Sequence, residues 1–391
     1  MEPYIKPILT ACYTFPFLAG LFTLPYILHQ YRKYGALLLL RIAIVYTFIF
    51  YMMTSYFMTI LPLPPVDSVT PASATVLLTP FDAVRKWISS SGLELKNPAT
   101  YLPAFTCNEF LQIAFNILLL FPFGVYLRYY FRRKWYQVLL LSFLYSLFFE
   151  LTQLSGLYGI YPYPYRFFEV DDLICNTLGG MLGFCATPAL LFFLPDRVRL
   201  DQMSYKKGEH ISAFRRFLAF LLDLGLLGIC FMIIGYATHD FSIGPLASSD
   251  ATIDIFKNIL LFPVFSFLLL SLVMTITGGY SIGKYIVRIR VRRVDGSRAG
   301  LLQTFARNLI LYLFLLPAPV YLLALSNVVS TDTNHVLGFL SILLISILIV
   351  VMMIFGLNLL ACFVKRNSTL LYDRFLSLSL ISTVKEKDAL S

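Results

Sequence analysis

Charge is what this sequence has least of. Asp, Glu, Lys and Arg make up only 13% of its 391 residues, where a water-soluble domain carries about 25%. Length alone would allow two or three soluble domains, but there is too little polar surface to clothe them. Histidine is scarce too: His29, His210, His239 and His335 stand apart, none paired at ligand spacing. That argues against a zinc-type site, and neither metal nor other cofactor is expected. The six cysteines (Cys12, Cys107, Cys175, Cys185, Cys230, Cys362) lack metal-binding spacing. Most lie inside apolar runs, where cysteine acts as a small hydrophobe. Also missing are a P-loop, a nucleophile elbow and a dinucleotide fingerprint. The glycine-rich stretch Gly278–Lys284 lacks the helix-opening context of a nucleotide site. No small-residue cleavage site follows the first apolar run, so that run is expected to stay in the membrane.

What the sequence does have is hydrophobicity. Apolar residues reach 58%, with 36 Phe and 25 Tyr, and the mean hydropathy is +0.76. Apolar runs at 8–28, 36–60, 109–127, 135–155, 172–194, 214–236, 255–276, 308–327 and 337–363 are each long enough to cross about 30 Å of hydrocarbon as a helix. The fold class expected is all-α, a polytopic helical membrane protein of about nine transmembrane helices. The net charge of +10 does not point to nucleic acid, because the basic residues come in short groups between apolar runs. Arg32 and Lys33, Arg128 to Lys134, Arg197 to Arg216, Lys284 to Arg307, and Lys365 and Arg366 fall in alternate loops. The intervening loops near 237–254 and 328–336 are nearly free of Lys and Arg. All basic loops share the cytoplasmic side if the N-terminus is outside and the C-terminus inside.

The chain divides at its one sizeable polar linker on the inner side, giving a membrane domain at 1–195, a cytoplasmic linker at 196–213 and a second membrane domain at 214–391. The long outer loop at 62–106 opens Pro-rich. Within it Thr79-Pro80-Phe81-Asp82 reads as a helix start, with Thr79 as N-cap and Pro80 in the first turn. Phe81, Val84, Trp87 and Ile88 would line one side of that helix, which either lies on the membrane surface or packs on the protein.

Polar residues inside spans are costly and usually face the bundle or a water-filled cavity. In the third span Asn108, Gln112 and Asn116 share one helix face, with Glu109 beside them. The fourth span carries Glu150 and Gln153, and the next loop supplies Arg166 and Glu169. Asp171, Asp172 and Asn176 open the fifth span. These residues reach the same outer membrane depth. Two readings stand: an ion-pair network of Glu150, Arg166 and Asp172 locking three helices, or a polar pocket open to the outer leaflet for a lipid headgroup or a sugar-linked lipid. Gly179, Gly180 and Gly183 would let another helix approach closely. Pro122 with Gly124 suggests a kink or a helix end. The ordered set Asn116, Phe121-Pro122-Phe123-Gly124, Glu150-x-x-Gln153, Arg166, Asp171-Asp172-Leu173-x-x-Asn176 and Gly179-Gly180-x-x-Gly183 resembles the VanZ family core. That resemblance implies a bacterial membrane protein associated with low-level resistance to lipid-tailed glycopeptides such as teicoplanin.

In the second half Arg216 and Asp223 lie two turns apart on similar faces, about 10 Å along the helix. A buried aspartate there needs a partner or a proton. Val287, Ile289 and Val291 alternate with Arg288, Arg290 and Arg292, a period of two that predicts a short amphipathic strand. Asp295-Gly296 then reads as the turn of a hairpin in this cytoplasmic loop. The basic face would either meet anionic headgroups or simply be positive-inside charge. Arg307 and Asn308 open the eighth span, and Leu371-Tyr372-Asp373-Arg374 follows the ninth. Arg216, Asp223, Asp373, Arg374, the turn ending in Lys284, and Arg307-Asn308 resemble the RDD family, which implies a small-solute or ion transporter. A salt bridge from Arg216 to an aspartate is the structural alternative.

The function expected is that of a non-enzymatic envelope-protection protein in the bacterial cytoplasmic membrane. It would engage a lipid-linked wall component or the drug tail at the outer leaflet. A secondary transporter or flippase is the alternative, with a lipid-modifying enzyme third. Partners expected are membrane lipids and a lipid-linked cell-wall precursor or glycopeptide, with no nucleic acid.

Overall fold

In lipid a backbone must satisfy its own hydrogen bonds, so apolar runs of this length become helices. The computed structural model describes residues 2–70, 76–94, 96–237, 249–331, 335–364 and 369–384. Lys365, Arg366 and most of the loop at 237–254 lie outside the described residues. Seven helices among those described are long and apolar enough to cross a membrane: Ile5–Tyr34, Leu39–Ile60, Asn108–Tyr129, Trp135–Leu154, Val170–Leu190, Ala213–Ala237 and Val336–Cys362. The chain forms two compact units, Met1–Leu24 with Leu39–Leu200, and Pro25–Leu38 with Asp201–Ser391.

The first unit begins with most of α1 (Glu2–Tyr34) and α2 (Leu39–Ile60). After the loop come β1 (Val76–Leu77), α3 (Asp82–Ser90), α4 (Tyr101–Thr106) and α5 (Asn108–Tyr129). Then follow α6 (Trp135–Leu154), the single turn α7 (Gly156–Gly159), β2 (Phe168–Glu169) and α8 (Val170–Leu190). Helices α5 and α8 meet backbone to backbone. A Cβ at Gly179 would sit 1.9 Å from the Ile117 carbonyl, and one at Gly183 1.9 Å from that of Phe121. Glycine is the residue that permits such an approach. Leu120, Phe123, Leu127, Val138 and Phe149 form the core that α5 and α6 share. Pro122 does not end α5, which continues to Tyr129.

Helix α3 packs on the protein. Trp87 donates its indole N–H to the Ala104 carbonyl at 2.9 Å, and its ring lies against Phe105 and Phe110. Its start is not the one the sequence suggested. The N-cap is Phe81, in left-handed backbone at φ 62° with no side-chain cap of its own. A carboxylate from elsewhere, Asp171, takes up the free N–H groups.

The second unit contains most of α9 (Arg197–Glu209), a helix that occupies most of the polar segment read as a linker, then α10 (Ala213–Ala237) and α11 (Ser249–Ile276). Helix α12 (Ile282–Ile286), β3 (Ile289–Arg293) and α13 (Leu301–Asn308) follow. The eighth expected span is not one straight helix. A π-helical stretch, Leu309–Leu315, separates α13 from α14 (Ala318–Thr331), and Pro317 between them lacks the N–H to continue the ladder. Helix α15 (His335–Val364), α16 (Leu371–Phe375) and β4 (Leu378–Ser382) complete the unit.

The predicted strand is present, but its partner is not a local hairpin arm. Strand β3 pairs antiparallel with the distant β4, Ile289 opposite Ser382 and Arg293 opposite Leu378. Residues 293–297 do form the tight turn at Asp295-Gly296. That turn leads to α13, and the C-terminal segment supplies the second strand.

Candidate functional site

The polar residues of the first unit sort into an open cleft and a set of ties beneath it. The cleft, open to solvent, spans about 460 Å³ including that open space and is lined by Leu77, Thr79, Asp82, Ala83, Lys86, Glu109, Gln112, Glu169 and Asp171. Three elements build it. The parallel pairing of Leu77 with Glu169 brings the long loop to the start of α8. Asp171 then fixes α3, accepting from Phe81 N at 2.6 Å and Ala83 N at 2.7 Å. A carboxylate on exposed N–H groups at a helix start is favoured by both hydrogen bonding and the helix dipole. Helix α5 supplies Glu109 and Gln112, and the Gln112 amide donates to Glu169 at 3.4 Å.

Four carboxylates and one ammonium line this cleft. Lys86 is committed to Asp82 at 2.8 Å, one turn away on α3. Burial raises the Glu169 carboxyl above its ordinary value, Lys86 opposes this, and Asp171 and Asp82 add to it. The cleft therefore presents an excess of acceptors and negative charge, suited to hydroxyl-rich or amine-bearing groups and unsuited to phosphates.

Beneath it the remaining residues hold helices together. Buried Glu150 accepts from the Glu169 backbone N–H at 3.1 Å. Asn116 donates its amide to Asp172. Asn176 donates to Ser146 at 2.9 Å, and Ser146 to the Asp172 carbonyl. Gln153 and Arg166 both donate to the Thr59 carbonyl at 2.8 Å, at the end of α2. Among the described residues no ion pair joins Arg166 to Glu150 or Asp172; in place of the three-member lock that stood as one reading, Glu150 and Arg166 bond backbone groups and Asp172 the Asn116 side chain. Asn108 stands exposed at the start of α5 and does not line the cleft. Of the polar residues singled out in the first half, Glu109, Gln112, Glu169 and Asp171 reach the cleft. The share contributed by α3 was not visible in sequence, because only tertiary pairing carries Asp82 and Lys86 to α5.

In the second unit two buried ionic groups form. Asp223 on α10 accepts from Gly283 N at 2.7 Å, from the Ser281 hydroxyl, and from Lys284 Nζ at 3.3 Å. Burial pulls the Lys284 ammonium below its ordinary value, an effect that Asp223 opposes. Arg307 on α13 donates to Asp373 on α16 at 2.9 Å, its guanidinium also lying over the Tyr372 ring. Arg216 pairs with neither aspartate. Its Nε and Nη2 are buried without a partner, as are Nη1 of Arg307 and Oδ2 of Asp373. Arg374 is exposed, bonds Thr369, and stays outside the cluster. Arg215, beside Arg216 and not singled out from the sequence as a site residue, is wholly buried. It donates to the carbonyls of Gly208, Val287 and Arg288 at 2.7–2.8 Å. Adjacent arginines look alike in sequence, and only the surrounding carbonyls tell them apart.

Residues 48–194 match the family model described as VanZ/LLP1, and residues 211–377 match that of the RDD family. The chain is a VanZ-like half joined to an RDD-like half. Comparison with curated proteins and with solved structures returns no match. The acidic cleft thus belongs to the VanZ-like half, and the buried aspartate clusters to the RDD-like half.

Proposed function

We propose that this chain is an envelope-protection protein of the bacterial cytoplasmic membrane. Its VanZ-like half engages the sugar or amine portion of a lipid-linked wall component, or of a lipid-tailed glycopeptide such as teicoplanin, at the outer leaflet. The observation that carries this reading is the cleft of Glu109, Gln112, Glu169 and Asp171, closed on one side by α3. Carboxylates and amides side by side accept and donate to hydroxyls. Their excess of negative charge disfavours a diphosphate there, so the sugar end of a lipid-linked precursor fits better than its phosphates. The role is binding rather than catalysis, and turnover of a lipid-linked precursor by the purified protein would count against it. The direct test is teicoplanin susceptibility of cells expressing Glu109→Gln, Gln112→Ala or Glu169→Gln at equal protein level. Increased susceptibility is expected in each. Susceptibility equal to that of the unaltered protein in all three would overturn the reading.

A second reading, a transporter for a small solute or ion, is supported by the half-satisfied cluster of the RDD-like half. Buried polar atoms are normally hydrogen-bonded, and Arg216, Arg307 and Asp373 each keep one or more that are not. A small polar solute or ion would complete them. This reading expects flux in proteoliposomes that Asp223→Asn or Asp373→Asn abolishes. Flux insensitive to both would remove the support.

A further inference from the structure

The exposed side of α5 changes character over a single turn. Asn108 and Gln112 stand exposed near its start, and Phe115 and Leu118 are exposed further along. Gln112 lines the acidic cleft, whereas Phe115 and Leu118 suit hydrocarbon. Gln112 and Phe115 are three residues apart and share one side of the helix. The edge of the hydrocarbon therefore falls between them, a span of about 5 Å by helical rise. Beyond that edge an exposed side meets headgroups and water, and inside it acyl chains.

Helix α3 is held at that level. The Trp87 ring lies 5.4 Å from that of Phe110 on α5, and Phe105 of α4 lies 4.9 Å from the same ring. Phe110 precedes the hydrocarbon edge by about 5 Å of rise, which puts α3 and α4 at headgroup depth. Successive residues of a helix turn by about 100°, and this gives α3 three sides. Trp87 packs on α4 and α5. Asp82, Ala83 and Lys86 line the cleft. Phe81 and Ile88, seven residues apart, share the third side with exposed Arg85. Phe81 is 60% exposed and Ile88 63%, and on α4 Leu102 reaches 75%. Phe81 also keeps φ at 62°, a backbone region costly for a residue with a Cβ.

We propose that α3 and α4 dock into the bilayer surface. Phe81, Ile88 and Leu102 enter the top of the acyl-chain layer, and the acidic cleft turns toward headgroups and water. The occupant of this apolar side is lipid because the side continues that of α5. Helix α4 ends one residue before α5 starts, and Phe105 joins it to Phe110. Arg85 can extend its guanidinium to a headgroup phosphate while its stem lies along apolar chains. A helix with an apolar side and flanking basic residues lies in the interface plane in this way. Asp171, by capping α3, then both walls the cleft and fixes the depth of the helix. A membrane-anchored ligand reaches the cleft without leaving its leaflet, and the docking itself holds whatever the cleft binds.

The test uses the full chain with its six native cysteines replaced, reconstituted in vesicles of phosphatidylethanolamine and phosphatidylglycerol. A nitroxide is attached to one new cysteine at a time, and its access to oxygen and to a nickel chelate is measured by power saturation. Ile88, Ser90, Leu102 and Leu118 are all exposed, so a label at any of them leaves the packing in place. Ile88→Cys and Leu102→Cys are expected to give an oxygen-to-nickel access ratio several-fold above that of Ser90→Cys, on the opposite side of α3. Their ratio should approach that of Leu118→Cys, the lipid reference on α5. Nickel-dominated access at Ile88 or Leu102 would put that helix in water and overturn the proposal. Low access to both reagents there would mean that protein covers the face, which overturns it equally. Oxygen-dominated access at Ser90 as well would sink the three-sided arrangement and the proposal with it.

Discussion

At the level of single residues, Asp171 and Glu169 show how one polar segment does two jobs. Asp171 spends both carboxylate oxygens on the start of α3, with Phe81 90 residues earlier in the chain. Removing a capping side chain costs about 0.5–2 kcal/mol. Asp171→Ala should therefore lower thermal stability by that order and speed hydrogen exchange across residues 82–90, with Asp171→Asn less affected. Unchanged exchange in α3 would show that Trp87 alone holds it. Glu169 behaves oppositely. Its folded carboxyl is raised, chiefly by burial, so the folded state binds its proton more tightly than the unfolded chain does. Its contribution favours folding at low pH and is lost as pH rises through the folded value. Glu169→Gln should thus raise the melting temperature at neutral pH relative to the unaltered chain, with the gain vanishing under acid conditions. An equal shift at every pH would mean that charge at this position is irrelevant to stability. Such roles were only half legible. Acidic residues at the start of a helix ordinarily favour that helix's own N-terminus, and nothing local reveals that Asp171 caps another.

Among whole elements, the α5–α8 contact depends on glycine. An added methyl at Gly179 or Gly183 meets a carbonyl of the facing helix at under 2 Å, whereas one at Gly225 or Gly228 on α10 meets nothing within 4 Å. Overpacking costs about 1–3 kcal/mol, occasionally more. Gly179→Ala and Gly183→Ala should lower the melting temperature in detergent, and Gly225→Ala and Gly228→Ala should leave it nearly unchanged. Equal effects in the two pairs would show that the helices can part to admit a methyl. The close approach was visible in sequence as a run of small residues, since no other composition permits it. Strand β3 was visible as well, because alternation of valine and isoleucine with arginine has no helical counterpart. Its partner was not, since Leu378–Ser382 carries no strict alternation and pairs across the 84 residues that lie between Arg293 and Leu378. The interruption at Leu309–Leu315 also escaped, because hydropathy registers an apolar run and not its hydrogen-bond pattern.

For the whole molecule, chain crossings can be counted from contacts inside the second unit. Arg288 bonds the Arg32 carbonyl, Lys207 that of Leu37, and Arg215 the carbonyls of Gly208 and Val287, while β3 pairs with β4. The segments near 32–37, 207–215, 287–293 and 378–382 therefore share one side of the membrane. Between β3 and β4 the number of crossings must be even. Helix α15 is one, so the interrupted stretch from α13 to α14 must be the other despite its π-helical turn. With α11 included, the described residues then hold nine crossings, and the basic groups in the four segments predict that these face the cytoplasm. Five crossings separate Ser90, exposed at the end of α3, from Ser297, exposed in the turn after β3. Single cysteines at these positions, in a chain whose six native cysteines are replaced, give a direct measurement. Ser90→Cys should react with an impermeant maleimide in intact cells, and Ser297→Cys only after permeabilisation. The reverse pattern would invert the assignment and put the acidic cleft out of reach of an extracellular drug. Labelling of both from the same side would break the count itself.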